Sequence, residues 1–139
     1  MQEFDVIVSA GRFSKNGLID GRENEPIVVN GERSPKGIHM HPSSKSFARV
    51  RYRLDRRFHL FSAGVAVNDL IGANPSSPLT FVVLGDGRVL WTSKAVAKPR
   101  EMQQCNVHVS GVSVLELRVV CPGEFYWAKA VWLEPHLRK

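Results

Sequence analysis

The chain has 139 residues, 43% hydrophobic and 23% charged, which suits one soluble globular domain able to bury roughly two-thirds of its unfolded surface. No run approaches the roughly 18 apolar residues that a membrane-spanning helix requires, so a membrane partner is not expected. Nineteen Lys and Arg against thirteen Asp and Glu leave a net charge of +6, which permits an anionic partner without demanding one.

In chain order, residues 4–8 are rich in β-formers and read as a first strand. The opening residues lack a basic segment followed by an apolar one, so no signal peptide is read there. Residues 9–25 are polar, carry Gly11, Gly17 and Gly21, and read as loop with one short strand around Leu18. Residues 26–31 form a short strand closed by an Asn30-Gly31 turn, and in residues 37–42 two histidines straddle Met40. From 47 to 54 the alternation is clean. Ala48, Val50, Tyr52 and Leu54 share one side, Arg49, Arg51 and Arg53 the other, and Phe47 is out of phase with the apolar set. Residues 58–67 are another strand, and residues 71–78, with Gly72, Asn74, Pro75 and Pro78, a surface loop.

Residues 79–93 carry the strongest local signal. Two apolar runs flank Asp86-Gly87, and a two-residue type I′ turn needs positive φ at both positions, which Gly adopts freely and Asp tolerates. That turn sets Leu84 against Val89, Val83 against Leu90 and Val82 against Trp91. A bulged three-residue loop would instead bring Phe81 to Trp91. Either way the hairpin reads as a buried, central element. Residues 95–104 connect to a strand with Cys105, Val107 and Val109 on one face. Leu115, Leu117 and Val119 repeat the alternation, and residues 125–133 form an aromatic-rich last strand closed by Glu134-Pro135. About eight to ten short strands, with no 3.6-residue periodicity, predict an all-β sandwich or barrel.

Both cysteines share parity with core residues. They are either two buried thiols, the plainer reading, or a disulfide across the sandwich. Catalysis is not expected. His39 and His41 make no zinc motif without further ligands, and the sequence has no Gly-x-Ser-x-Gly elbow and no phosphate loop.

The segments 27–31, 37–43, 50–54, 61–65, 81–93, 107–117 and 130–135, in that order and spacing, resemble the NPCBM family of carbohydrate-binding modules over about residues 26–137. The resemblance implies a galactose-binding-domain-like jelly-roll β-sandwich of two antiparallel sheets, here one domain over residues 1–139. It also implies a non-catalytic accessory module of glycoside hydrolases or other secreted or cell-envelope proteins. Where the family often has Asp-His-Ala-Asp-Trp, this chain has Ala128-Lys129-Ala130-Val131-Trp132, and a family Gly-Val-Asp-Asp is here Ala66-Val67-Asn68-Asp69. Structural calcium, which the resemblance would imply, therefore finds no support in the residues, and the sequence names no metal and no cofactor.

A pyranose needs an aromatic ring under its apolar face and planar polar partners for its hydroxyls. In a sandwich these gather at loop ends. The carbohydrate-binding candidates are His39, His41, Asn68, Asp69, Tyr126 and Trp127. Trp127 has opposite parity to Trp132 and is the candidate platform, while Trp132 and Trp91 are assigned to the core. The second candidate set is Arg49, Arg51 and Arg53, which with Lys45, Arg56 and Arg57 nearby could track an anionic polysaccharide. A solvated or edge-guarding face is the plainer alternative. Nucleic acid is disfavoured, since no recognition motif is present.

Overall fold

A computed structural model describes residues 6–10, 12–69, 75, 77–98, 100–124 and 126–139. Among these there is no helix; ten strands form two five-stranded antiparallel sheets, and four short strands form two hairpins.

In chain order the strands are β1 (Val6–Ala10), β2 (Arg12–Ser14), β3 (Leu18–Ile19), β4 (Arg22–Pro26), β5 (Val28–Val29), β6 (Glu32–Arg33) and β7 (Ile38–His41). There follow β8 (Ser46–Arg53), β9 (Leu60–Val67), β10 (Thr80–Gly85), β11 (Arg88–Thr92), β12 (Gln103–His108), β13 (Val114–Cys121) and β14 (Ala130–Arg138). One sheet runs β1-β8-β13-β10-β11 and the other β12-β9-β14-β7-β2. Consecutive long strands mostly alternate between the sheets, the jelly-roll arrangement.

The core lies between the two inner faces. Val50, Tyr52, Phe81, Val83, Leu115 and Leu117 from one sheet meet Ile38, Met40, Phe61, Val65, Val107 and Trp132 from the other. Trp132 is fully buried and takes the rings of Phe61 and Phe81 edge-on, at 6.3 and 5.3 Å between centroids. Cys105 and Cys121 are buried free thiols, and burial pushes the Cys105 thiol up to about 12. Of the two readings of the cysteines, the plainer one holds.

A second, smaller apolar cluster covers the outer face of the β7–β14–β9 sheet. Ile19, Ile27 and Val29, from the hairpin region, close over Ala66 and Val131. The short strand expected around Leu18 forms as β3, while the rest of residues 9–25, read as loop, also holds β2 and most of β4. Their pairings are only two or three residues long, and few of the residues are apolar, so periodicity had little to register.

The Asp86-Gly87 turn forms, with φ of 49° and 81° and Leu84 facing Val89. The register then shifts, and Val83 meets Trp91 while Val82 meets Thr92, so Leu90 is the extra residue of a bulge. The expected Val83–Leu90 and Val82–Trp91 pairs do not occur. Nor is β11 central: it is an edge strand with Val89 63% and Leu90 37% exposed, and Trp91 is only partly buried against the core. The last strand also differs from expectation. It begins at Ala130 and runs through Glu134-Pro135 to Arg138, with an irregularity between Leu133 and His136. Proline is tolerated there because the ladder is already interrupted.

Candidate functional site

Short connections place residues 42–45 and the described parts of 68–79, 93–102 and 122–129 at one end of the sandwich. The register fixes what meets there. Ala130 pairs with Met40 on one side and Val67 on the other, so Lys129 falls in line with His41 and Asn68. Arg12 pairs with His41 and extends the row. The Asn68 amide donates to the Lys129 carbonyl at 2.9 Å. Two residues earlier stands Trp127, whose carbonyl accepts the Lys129 amide at 2.9 Å, closing a three-residue turn.

Trp127 holds φ at 58° with its side chain 52% exposed, and Tyr126 beside it is 58% exposed. A bulky residue in the left-handed region is an outlier that costs of order 1–3 kcal/mol. Here the conformation ends the loop and turns a large apolar ring toward solvent. The loop is tied down below: Cys121 Sγ donates to the carbonyls of Gly123 and Glu124, and the Lys45 amide donates to Gly123 O.

The other candidates are more internally engaged. His39 is fully buried under β3, with Nδ1 3.5 Å from Ser14 Oγ and 3.7 Å from the Asp20 carboxylate, while Nε2 has no partner among the described residues. Burial lowers its pKa to about 4, with His41, Lys129 and Arg12 adding to the depression and Asp20 opposing it. His41 is buried with Nδ1 3.2 Å from the Pro42 carbonyl, which requires the proton on Nδ1; burial lowers its pKa too. Asn68 Oδ1 accepts the Val28 amide at 2.7 Å, and the Asp69 carboxylate accepts the amides of Asn30 and Gly31 at 3.2 and 3.1 Å. Asn68 and Asp69 therefore anchor the β5–β6 hairpin to the end of β9. Among the described residues no group of three His, Cys, Asp or Glu side chains is placed to hold a metal ion.

The arginines of β8 do share one outer face, but not as a free cationic ladder. Arg51 Nε donates to Glu116 Oε1 and Arg118 Nε to Glu116 Oε2, both at 2.6 Å, with Glu116 buried between them. Arg49 and Arg118 lie over the Phe47 ring at 5.5 and 4.7 Å from its centroid. Phe47, out of phase in sequence, belongs to this arginine face. Sequence reasoning missed Arg12 and Lys129 as part of the rim. Lys129 was legible in principle, two residues from Trp127 at the start of an alternating strand.

The sequence model of the NPCBM/NEW2 domain matches residues 6–138. The chain belongs to the NPCBM/NEW2 domain family. This NPCBM/NEW2 domain is thus a non-catalytic module of a carbohydrate-binding-module family. It is 27% identical over 108 residues to a Renibacterium salmoninarum protein named "Putative endo-alpha-N-acetylgalactosaminidase", a match that spans 78% of the chain and 7% of the relative. Among solved structures, a Clostridium perfringens CBM51 from GH95 in complex with methyl-galactose superposes with TM-score 0.79 at 20% identity, covering 97% of this domain and 95% of that chain. The CBM51-2 and INT domains of Clostridium perfringens ZmpB in complex with GlcNAc give TM-score 0.81 at 19% identity, covering 99% of the domain and 30% of that chain. The fold is therefore the CBM51 β-sandwich.

Proposed function

We propose that the domain binds carbohydrate at the end formed by His41, residues 122–124 and residues 126–129, and so tethers a longer parent protein to glycans. The observation that carries this reading is Trp127. Its ring is half exposed at a loop end, on a backbone conformation that tryptophan does not adopt without cost. A pyranose would stack its apolar face on that ring and present hydroxyls to Tyr126 and to the Lys129 ammonium. The strand ends beneath are cross-linked by backbone hydrogen bonds, so the platform is held before the ligand arrives.

The solved neighbours carry methyl-galactose and GlcNAc, and the curated relative is named for an N-acetylgalactosaminidase, so neutral hexoses and N-acetylhexosamines are the first probes. Glycan-array screening followed by titration calorimetry tests the reading: a hit whose affinity falls at least tenfold in Trp127→Ala supports it. The engagement of Asn68 and Asp69 by the β5–β6 hairpin favours a second reading, a protein-interaction sandwich without a sugar site. An array silent for neutral and sulfated glycans, with Trp127→Ala indistinguishable from the parent, decides for that alternative.

A further inference from the structure

The end of the sandwich opposite Trp127 is built from residues 54–59, the Asp86-Gly87 turn, residues 109–113 and the last residues of β14. Backbone hydrogen bonds join them: Leu54 and Asp55 donate to Ser113 O, Arg56 to Val112 O, Val109 to His59 O and His59 to Arg138 O. Residues 54–57 make a type I′ turn, with φ of 52° at Asp55 and 59° at Arg56 and the Arg57 amide donating to Leu54 O. Asn and Gly make such turns with least strain, yet here an arginine occupies a left-handed position.

Charge is concentrated at this end. Arg53, Arg56, Arg57, Arg88, Arg138 and Lys139 are all exposed, against two carboxylates, Asp55 and Asp86. That leaves four of the chain's six net positive charges on one end. Both Asp86 oxygens are already occupied, accepting the amides of Ser113 and Val114 at 2.9–3.2 Å. Among the described residues none of the six cations forms an ion pair, in contrast to Arg51 and Arg118. Arg57 and Lys139 converge instead on one ring, 5.5 and 6.0 Å from the Phe58 centroid. Two like charges over a single buried ring, neither ion-paired among the described residues, form a site short of an anion.

We propose that Arg56, Arg57, Arg138 and Lys139, around Phe58, bind an acidic polysaccharide, whose carboxylates or sulfates supply the missing counter-charges. Guanidinium groups pair such oxyanions two bonds at a time. A nucleic acid suits the surface less well, because Phe58 is buried and capped by the two cations, leaving no ring on which a base could stack. This surface rests on no part of the Trp127 reading.

Affinity electrophoresis through gels containing polygalacturonate, heparin or neutral dextran tests the assignment. Both acidic polymers should retard the domain and dextran should not, with retardation falling steeply between about 50 and 200 mM salt as counterions compete. Arg56→Ala/Arg57→Ala should weaken retardation about tenfold, whereas Lys94→Ala/Lys98→Ala, which removes the same charge from the other end, and Trp127→Ala should leave it within about twofold. Absence of retardation, or equal losses in the two double variants, would overturn the proposal. Duplex DNA bound more tightly than either polysaccharide, with the same dependence on Arg56 and Arg57, would overturn the choice of partner.

Discussion

Glu116 stands directly opposite Arg51 in the β8–β13 ladder, and its Oε1 lies 2.6 Å from the Arg51 Nε. The second oxygen holds Arg118, which in turn covers the Phe47 ring, so one buried carboxylate organises the outer face of that sheet. Removing it leaves Arg51 and Arg118, diagonal neighbours on adjacent strands, without their shared counter-charge. We expect Glu116→Leu to lower unfolding free energy by about 2 kcal/mol, discounted from a fully buried pair because both arginines are part-exposed. Adding Arg51→Met should recover part of the loss. Urea denaturation of the parent and the two variants checks this, and a Glu116→Leu midpoint equal to the parent would refute it.

The same face shows where sequence reading ended. Alternation in residues 47–54 places Arg49, Arg51 and Arg53 together, which is how the structure has them. It could not reveal that Glu116, 65 residues away, would neutralise Arg51, because ladder partners are chosen by topology. The chemistry of Asn68 and Asp69 at a strand end makes them candidate sugar ligands; their bonds to Val28, Asn30 and Gly31 cross about 40 residues and leave no local trace. The Asp86-Gly87 and Asn30-Gly31 turns were legible because their geometry is set by the two residues themselves. The Leu90 bulge was not, since strand-long apolar character fits either register.

His39 makes stability pH-dependent. Its folded pKa, about 4, lies below the ordinary histidine value of 6.5, so between those values the unfolded chain binds the proton the native state refuses. Stability from this residue is complete above pH 6.5 and falls as pH drops toward 4, by up to about 3 kcal/mol for a group this buried. His41, also depressed by burial, acts in the same direction. Thermal midpoints of the parent and His39→Leu, measured from pH 7.5 to 4, should converge as pH falls. Parallel curves would rule out a contribution from His39.

Gly17 is the point where the outer hairpins lock to the sheet. Its amide donates to Gly37 O at 3.0 Å and its carbonyl accepts the Ile27 amide at 2.7 Å, with φ at 69°. A Cβ there would lie 2.3 Å from Ser34 O and 2.9 Å from the Pro35 backbone, so the neighbours would have to move. Gly17→Ala should cost at least about 2 kcal/mol and loosen the cover over His39. Hydrogen exchange should show faster exchange at Ile27 and Ser34 than in the core strands β9 and β13. Unchanged protection at both amides would count against this account.

Trp127 joins an exposed ring to a left-handed backbone, and glycine separates the two. Trp127→Gly relieves backbone strain, worth of order 1 kcal/mol, while the added freedom of the unfolded chain costs a similar amount. With the side chain already half in solvent, the thermal midpoint should stay within about 3 °C of the parent. If the ring is the sugar platform, glycan binding should nevertheless fall at least tenfold. Trp127→Phe keeps a stacking face and should retain part of the affinity, which a purely conformational role for residue 127 would not produce. A midpoint lowered by 8 °C or more in Trp127→Gly would mean that the ring packs as a structural element of the loop, because only lost burial yields a change of about that size.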